Sequence, residues 1–242
     1  FDIPVANGGG HNQDSVADWV IMAMISLLRH GARRDREMHQ GSWPVRRPDG
    51  RELGSVTVGI IGMGKIGRRV ADRLRGFRTP VLYSDIVPRD GGPGASRVTT
   101  PELLERADIV TVHVPLDDST RHLIGADELS RMRPGALLVN ASRGPVLDEA
   151  ALTAALESGQ LGGAALDVFE TEPLRADSPL RSRDDVFLTP HIGGASREAA
   201  ANLREAMAMN IRRALAGQEP RHVVNGLAGA PVPDDGSLAN GR

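Results

Sequence analysis

The chain has 242 residues, of which 40% are hydrophobic and 25% charged, with a net charge of −2 and no cysteine. This is ordinary globular composition; it rules out disulfides, thiolate nucleophiles and cysteine–metal sites, and points to neither nucleic acid nor an anionic membrane as partner. The absence of cysteine fits a reducing, cytoplasmic setting, and the most apolar run, Val16 to Leu28, is too short for a membrane span and carries Asp18.

The opening FDIPVANGGG reads as a strand ending in a turn, and a chain that opens mid-element at Phe1 is expected to lack a segment upstream. Asn12 or Asp14 can cap a helix that begins near Val16. It is apolar almost all round (VADWVIMAMISLL), becomes charged after Arg29 and stops at Gly41; such a helix is expected to be buried on several sides. A loop rich in proline, arginine and glycine covers 42–54. Short apolar runs follow at VTVGII (56–61), PVLYSD (80–85), DIVTVHV (108–114), ALLVNAS (136–142), GAALDVF (163–169) and VFLTP (186–190). Helical patterns lie between most of them, at Lys65–Gly76, Pro101–Arg106, Asp127–Met132 and Asp148–Ser158. Unbroken apolar strands separated by helices predict a parallel sheet covered on both faces, an α/β doubly wound, Rossmann fold of six strands. A last helix is expected from Ser196 to about Gly217, and the small, polar stretch 229–242 is expected to be a disordered tail.

VGIIGMGKIG places Gly62, Gly64 and Gly67 directly after the first strand and at the start of a helix. In a dinucleotide site the first glycine permits the tight turn, the second lets the backbone approach a pyrophosphate, and the third lets helix and strand pack closely. The amides of Lys65 and Ile66, with the helix dipole, would then face the anion. Asp85 closes the second strand, where a carboxylate takes hydrogen bonds from the adenosine ribose and repels a 2′-phosphate. That predicts NAD rather than NADP, with Arg89 close enough in sequence to soften the preference.

With these motifs stand NQDSVAD, VHVPL followed by Thr120, LLVNASRGPVLDEAAL, ALDVFETEP and LTPHIGG. Taken together and in this order, they make the chain resemble the D-isomer-specific 2-hydroxyacid dehydrogenases from about Ile3 to Leu227. The resemblance implies two domains, the substrate domain being built mainly from an N-terminal portion of about a hundred residues that would precede Phe1. On that basis residues 1–11 are a remnant of the substrate domain, 12–195 the dinucleotide-binding domain, 196–228 a helix returning towards the substrate domain, and 229–242 the tail. The same family includes phosphite dehydrogenases and nicotinamide-binding transcriptional corepressors, so a dinucleotide-sensing interaction protein, or a fragment that binds NAD without turnover, stays open.

Three residues match the family's catalytic positions. Arg143 in NASRG follows a strand at the carboxyl edge of the sheet, where its planar guanidinium can hold a 2-oxo acid by the carboxylate. His191 in TPHIGG can exchange the proton that accompanies hydride transfer, because imidazole titrates near neutrality. The resemblance makes Glu172 in ETEP its carboxylate partner, stabilising imidazolium, because its spacing to Pro173 is the one that matches the family; Glu170, two residues earlier, is then the decoy. By the same resemblance Asp167 contacts the nicotinamide carboxamide, and Ala141 and Ser142 lie along the nicotinamide half. His113, Pro115 and Thr120 line the adenosine side, and Gly193 and Gly194 let the loop after His191 lie close to the cofactor. The implied partners are a small 2-oxo or 2-hydroxy acid and a second copy of the chain, meeting through the helix at Val16–Leu28 and the loop near Trp43. The other histidines show no metal-ligand spacing, so no metal is expected.

Overall fold

The computed structural model describes residues 3–43 and 49–226. They fall into two units: one runs from Gln13 to Gly194, and the other joins the flanking segments Phe1–Asn12 and Ala195–Arg242. The polar tail, 229–242, and residues 44–48 of the loop at 42–54 lie outside the described residues.

The larger unit begins with α1 (Gln13–Leu28) and α2 (Gly31–His39). Then come β1 (Val58–Ile61), α3 (Lys65–Gly76), β2 (Val81–Ser84), β3 (Ala95–Arg97), α4 (Thr100–Arg106) and β4 (Ile109–Val112). After these follow α5 (Ala126–Arg131), β5 (Ala136–Asn140), α6 (Glu149–Glu157), β6 (Leu161–Leu166) and β7 (Val186–Leu188). The seven strands form one parallel sheet in the order β3-β2-β1-β4-β5-β6-β7. The chain therefore builds outward from β1 in one direction, returns, and builds outward from β4 in the other. The carboxyl ends of β1 and β4 flank the reversal, and ligands bind in such a crevice in open α/β sheets.

Two expectations need correction. The sheet has a seventh strand, β3, which carries no apolar run: it is a three-residue edge strand whose side chains are half-buried or exposed. The first helix is also two helices, because His30 adopts the left-handed conformation with φ 52° and ends α1 before Gly31 restarts the helix. A single left-handed residue leaves no mark on the helical period, which therefore does not reveal the break.

The sheet divides the core in two. On one face Trp19, Val20 and Met24 of α1 and Val70 and Leu74 of α3 pack over Val58, Ile60 and Ile109. On the other, Leu103 and Leu104 of α4, Leu129 of α5 and Leu152 of α6 cover Val110, Leu138 and Leu166. All four residues of β1, β2 and β4 are buried, as expected for strands covered on both sides. Side chains at the helix starts satisfy otherwise open amides: Thr99 accepts from Glu102 (3.3 Å) and Asp148 from Ala151 (2.9 Å).

In the smaller unit α7 (Arg197–Leu215) starts with Ser196 accepting the Ala199 amide at 3.0 Å. The N-terminal segment pairs with the segment after this helix through an antiparallel bridge between Ala6 and Val223, and Val224 N–H donates to the Val5 carbonyl at 2.8 Å. Among the described residues no helix is long and apolar enough to cross a membrane.

Candidate active site

The glycine loop occupies the turn between β1 and α3. Gly62 has φ +96°, and a Cβ there would collide with the His113 carbonyl oxygen, which lies beside it after β4. A Cβ at Gly67 would strike the Gly62 carbonyl, so helix and strand approach as closely as the third glycine of the motif requires. At Gly64 a Cβ would meet open space, and no side chain caps this helix start. The start of α3 is therefore open to close approach, as an anion at a helix N-terminus requires.

Asp85 stands where the acidic residue was expected. Its Oδ2 accepts from Met63 N–H and its Oδ1 from Val87 N–H, both at 2.8 Å, so the carboxylate also fastens the glycine loop to the end of β2. Arg89 Nε lies 3.4 Å from Oδ2, and Arg97 on β3 donates to the Asp85 carbonyl at 3.0 Å. Beyond β4, the Thr120 hydroxyl donates to the Pro115 carbonyl at 2.7 Å, which closes the turn carrying both residues. The His113 ring holds Thr111 Oγ1 at 3.0 Å through Nε2. Its buried Nδ1 has no hydrogen-bond partner. Burial pushes this imidazole down to about 4, so it is neutral at physiological pH.

Arg143, Glu172 and His191 come together at the carboxyl edge of β5, β6 and β7. His191 Nδ1 lies 2.8 Å from Glu172 Oε2, with 48% of the histidine side chain and 38% of the glutamate exposed. Glu172 Oε1 accepts from Phe169 N–H at 3.1 Å. Partial burial pushes the Glu172 pKa upward and is the largest single influence. The His191 hydrogen bond, the Phe169 amide and the charges of His191 and Arg143 together outweigh it and hold the carboxyl below its ordinary value. An ionised carboxylate only accepts, so Nδ1 carries a hydrogen and Nε2 is the nitrogen available to another molecule.

Two buried polar residues, whose part the motifs do not announce, organise the loops that carry this set. Asn140, the last residue of β5, is 1% exposed. Its Oδ1 accepts from the amide and hydroxyl of Ser142 (3.0 and 2.8 Å), and its Nδ2 donates to the Arg143 carbonyl at 3.2 Å. Asp167, just past β6, is 2% exposed and takes the Thr189 hydroxyl (2.5 Å), Ile192 N–H (2.9 Å) and Gly193 N–H (2.7 Å). Its own carbonyl accepts His191 N–H at 2.8 Å. The buried carboxylate thus shapes the TPHIGG turn itself, in which His191 has φ 56°, an uncommon conformation for a residue with a side chain. Gly193 is required by that turn: a Cβ there would stand 2.8 Å from Asp167 Oδ2 and 3.4 Å from the Trp19 ring. Ala141 and Ser142, which precede Arg143, are buried, and Gly194 follows Gly193 in the turn. A polar residue closing an otherwise apolar strand, as in LLVN and AALD, is the signal that could have singled out both anchors.

Residues 21–193 match the family model described as "D-isomer specific 2-hydroxyacid dehydrogenase, NAD binding domain". A glyoxylate reductase of Korarchaeum cryptofilum is 39% identical over 230 residues, covering 92% of this chain and 69% of that protein. An (S)-sulfolactate dehydrogenase of Chromohalobacter salexigens is 40% identical over 220 residues, covering 88% of this chain and 71% of its own length. Among solved structures, a D-isomer specific 2-hydroxyacid dehydrogenase from Xanthobacter autotrophicus Py2, in complex with NADPH and MES, superposes with a TM-score of 0.80 at 33% identity and covers 93% of both chains. With the glycine cradle and the site at the carboxyl edge, these likenesses establish that the chain belongs to the D-isomer specific 2-hydroxyacid dehydrogenases, oxidoreductases that work with a nicotinamide dinucleotide.

Proposed function

We propose that this chain moves a hydride between NAD(H) and C2 of a small D-2-hydroxy or 2-oxo acid, with Arg143, His191 and Glu172 as its working side chains. The observation that carries the reading is the 2.8 Å contact between His191 Nδ1 and Glu172 Oε2 beside Arg143. Glu172 holds the imidazole with Nδ1 protonated, so Nε2 gives a proton to the developing alkoxide during reduction and takes it back during oxidation. Arg143 holds the substrate carboxylate and polarises the carbonyl oxygen; its guanidinium also donates to the Ser142 carbonyl at 2.6 Å, which orients it. The dinucleotide, when bound, supplies or accepts the hydride. Gly62, Gly64, Lys65, Ile66, Gly67 and Asp85 would hold its adenosine and pyrophosphate half with His113, Pro115 and Thr120; Ala141, Ser142, Asp167, Gly193 and Gly194 lie towards the nicotinamide half. Asp85 favours an unphosphorylated ribose, since a 2′-phosphate would face its charge.

Glyoxylate is the first substrate to try, given the relatives named for it. NADH binding is read from the change in its fluorescence, and glyoxylate, hydroxypyruvate and pyruvate are then added to native protein, His191→Ala and Arg143→Ala. The expected result is NADH binding in all three and turnover in the native protein that falls about 10²–10⁴-fold without His191. Unchanged turnover in His191→Ala would overturn the assignment. We further infer a homodimer through α1 and the loop at Trp43. Met22 and Ile25 on that helix are 46% and 37% exposed, and Trp43 is 83% exposed. Sedimentation of a monomer at micromolar concentration would refute it.

A further inference from the structure

Glu170 is not part of the proton-exchanging pair, yet it is held more elaborately than a surface carboxylate requires. Its N–H donates to Glu149 Oε1 at 2.5 Å, and its Oε1 accepts from Glu149 N–H at 3.2 Å. The two residues thus exchange backbone-to-carboxylate hydrogen bonds in both directions across 21 positions of sequence. His122 Nε2 stands 2.9 Å from the same Glu170 oxygen and its Nδ1 4.0 Å from Asp148. His122 is held there in the left-handed conformation, φ 51°, with its N–H donating to the Pro145 carbonyl at 2.8 Å.

The surroundings give this arrangement a consequence. Glu149 opens α6, and the residues leading into it, 144–148, are the continuation of the loop that carries Arg143. Glu170 belongs to the loop that carries Glu172, whose Oε1 already accepts from the preceding residue, Phe169. These two loops meet where Gly144 has no room for a Cβ against the carbonyl of Phe169 and the amide of Glu170, and at their bases Asp167 N–H donates to the Asn140 carbonyl at 3.0 Å. The paired hydrogen bonds at Glu149 and Glu170 add a further tie, and His122 backs it with a third group. Glu149 is pushed up from its ordinary carboxylate range, chiefly by burial and also by the Glu170 charge.

We propose that Glu149 and Glu170, backed by His122, are positioning residues that set the orientation of Arg143 relative to the Glu172–His191 pair, an inference that rests on the catalytic reading above. The clasp touches neither substrate nor cofactor; it works by making two separate loops one frame. Misalignment of a few tenths of an ångström to an ångström between a carboxylate clamp and a proton donor is what such a frame prevents, and it is costly in rate.

The test uses the full chain with Glu170→Ala, Glu149→Ala, the double variant and Glu170→Gln. Glu170→Ala should lower kcat/KM for glyoxylate about ten- to a hundredfold, with the loss shared between kcat and KM, while the dissociation constant of NADH stays within twofold. Glu170→Gln keeps an acceptor oxygen for the Glu149 amide and should restore most of the loss. The double variant should be no worse than the poorer single one, because the two bonds form and break together. Native-like kcat and KM in Glu170→Ala would overturn the proposal, as would a parallel loss of NADH affinity, which marks general destabilisation. Amide hydrogen exchange over 168–172 and 147–150 gives a readout independent of turnover. It should accelerate about tenfold or more in both segments on either alanine substitution, and unchanged exchange would also overturn the proposal. If the native protein binds NADH but reduces no acid, the catalytic reading fails while exchange still decides whether the clasp exists.

Discussion

His113 offers the sharpest check on the interior of this fold. Its half-buried ring follows β4, with Nε2 on Thr111 Oγ1 at 3.0 Å and a buried Nδ1 that finds no partner. Burial lowers its pKa from 6.5 to about 4. Between these values the unfolded chain binds a proton that the folded chain refuses, so stability rises with pH there. The contribution is complete above about pH 6.5, is lost as the pH falls towards 4, and changes no further below that. At about 1.4 kcal/mol per pH unit, the full span corresponds to about 3 kcal/mol, and by pH 5 about 2 kcal/mol of it is gone.

The perturbation is His113→Asn, which keeps a hydrogen-bonding group beside Thr111 and removes the titration. Urea unfolding is followed by tryptophan fluorescence at pH 8 and pH 5 for both proteins. Other groups titrate in both, so only the difference between them carries the argument. The stability advantage of the native protein over the variant should shrink by about 2 kcal/mol from pH 8 to pH 5. In parallel, the folded protein's His113 ring resonance should not titrate between pH 8 and 5. A pH-independent difference, or a ring that protonates near pH 6.5 in the folded state, would show that the ring is not closed off as described.

Further outcomes follow from the site. Gly62→Ala places a methyl group against the His113 carbonyl at φ +96° and should cost more than about 1 kcal/mol of stability, with NADH binding weakened by tenfold or more; an unaltered NADH titration would refute the role given to that turn. Glu172→Gln should cut turnover while leaving NADH affinity unchanged, since it removes the charge facing the His191 ring. Because Glu172 is held below its ordinary value, the support it gives the folded turn is present above that ordinary value and fades as the pH falls through the lowered one. Asp85→Ala should narrow the gap between NADH and NADPH affinities, leaving Arg89 and Arg97 to face a 2′-phosphate; a gap that widens would contradict the electrostatic argument.

The strands were legible wherever burial on both faces forced an apolar run, as in β1, β2 and β4, with all four residues buried. β3 was not, because an exposed three-residue edge strand needs only its neighbour's hydrogen bonds and leaves no hydrophobic imprint. Its omission mattered for the site, since β3 is what brings Arg97 to Asp85. The break at His30 was equally silent, as left-handed backbone at a histidine has no periodic signature. The glycine loop, Arg143, Glu172 and His191 could be picked out by motif and resemblance, although their spacing alone could not show which glutamate of ETE meets the ring. In the structure Glu172 reaches His191, and Glu170 turns to Glu149 and His122. The turn-anchoring part of Asp167, beside the cofactor contact expected of it, escaped because its partners Thr189, Ile192 and Gly193 lie 22 to 26 positions further on, brought close only by the pairing of β6 with β7.

That pairing explains how exposed side chains can be held to a working geometry. In the roles proposed for them Arg143 and His191 must reach solvent, and exposed side chains on turns are ordinarily the least constrained parts of a fold. Here each turn is anchored from below by a polar residue at a strand end, the Arg143 turn by Asn140, which closes β5, and the His191 turn after β7 by Asp167, just past the neighbouring β6; both are almost wholly buried. The anchors are themselves joined, with Asp167 N–H donating to the Asn140 carbonyl at 3.0 Å. A buried polar side chain is costly unless its hydrogen bonds are made, so each anchor can be satisfied only while its turn keeps its shape. Disorder in the turn therefore carries the penalty of an unsatisfied group in the core, and the rigidity of the sheet is transmitted to residues standing outside it.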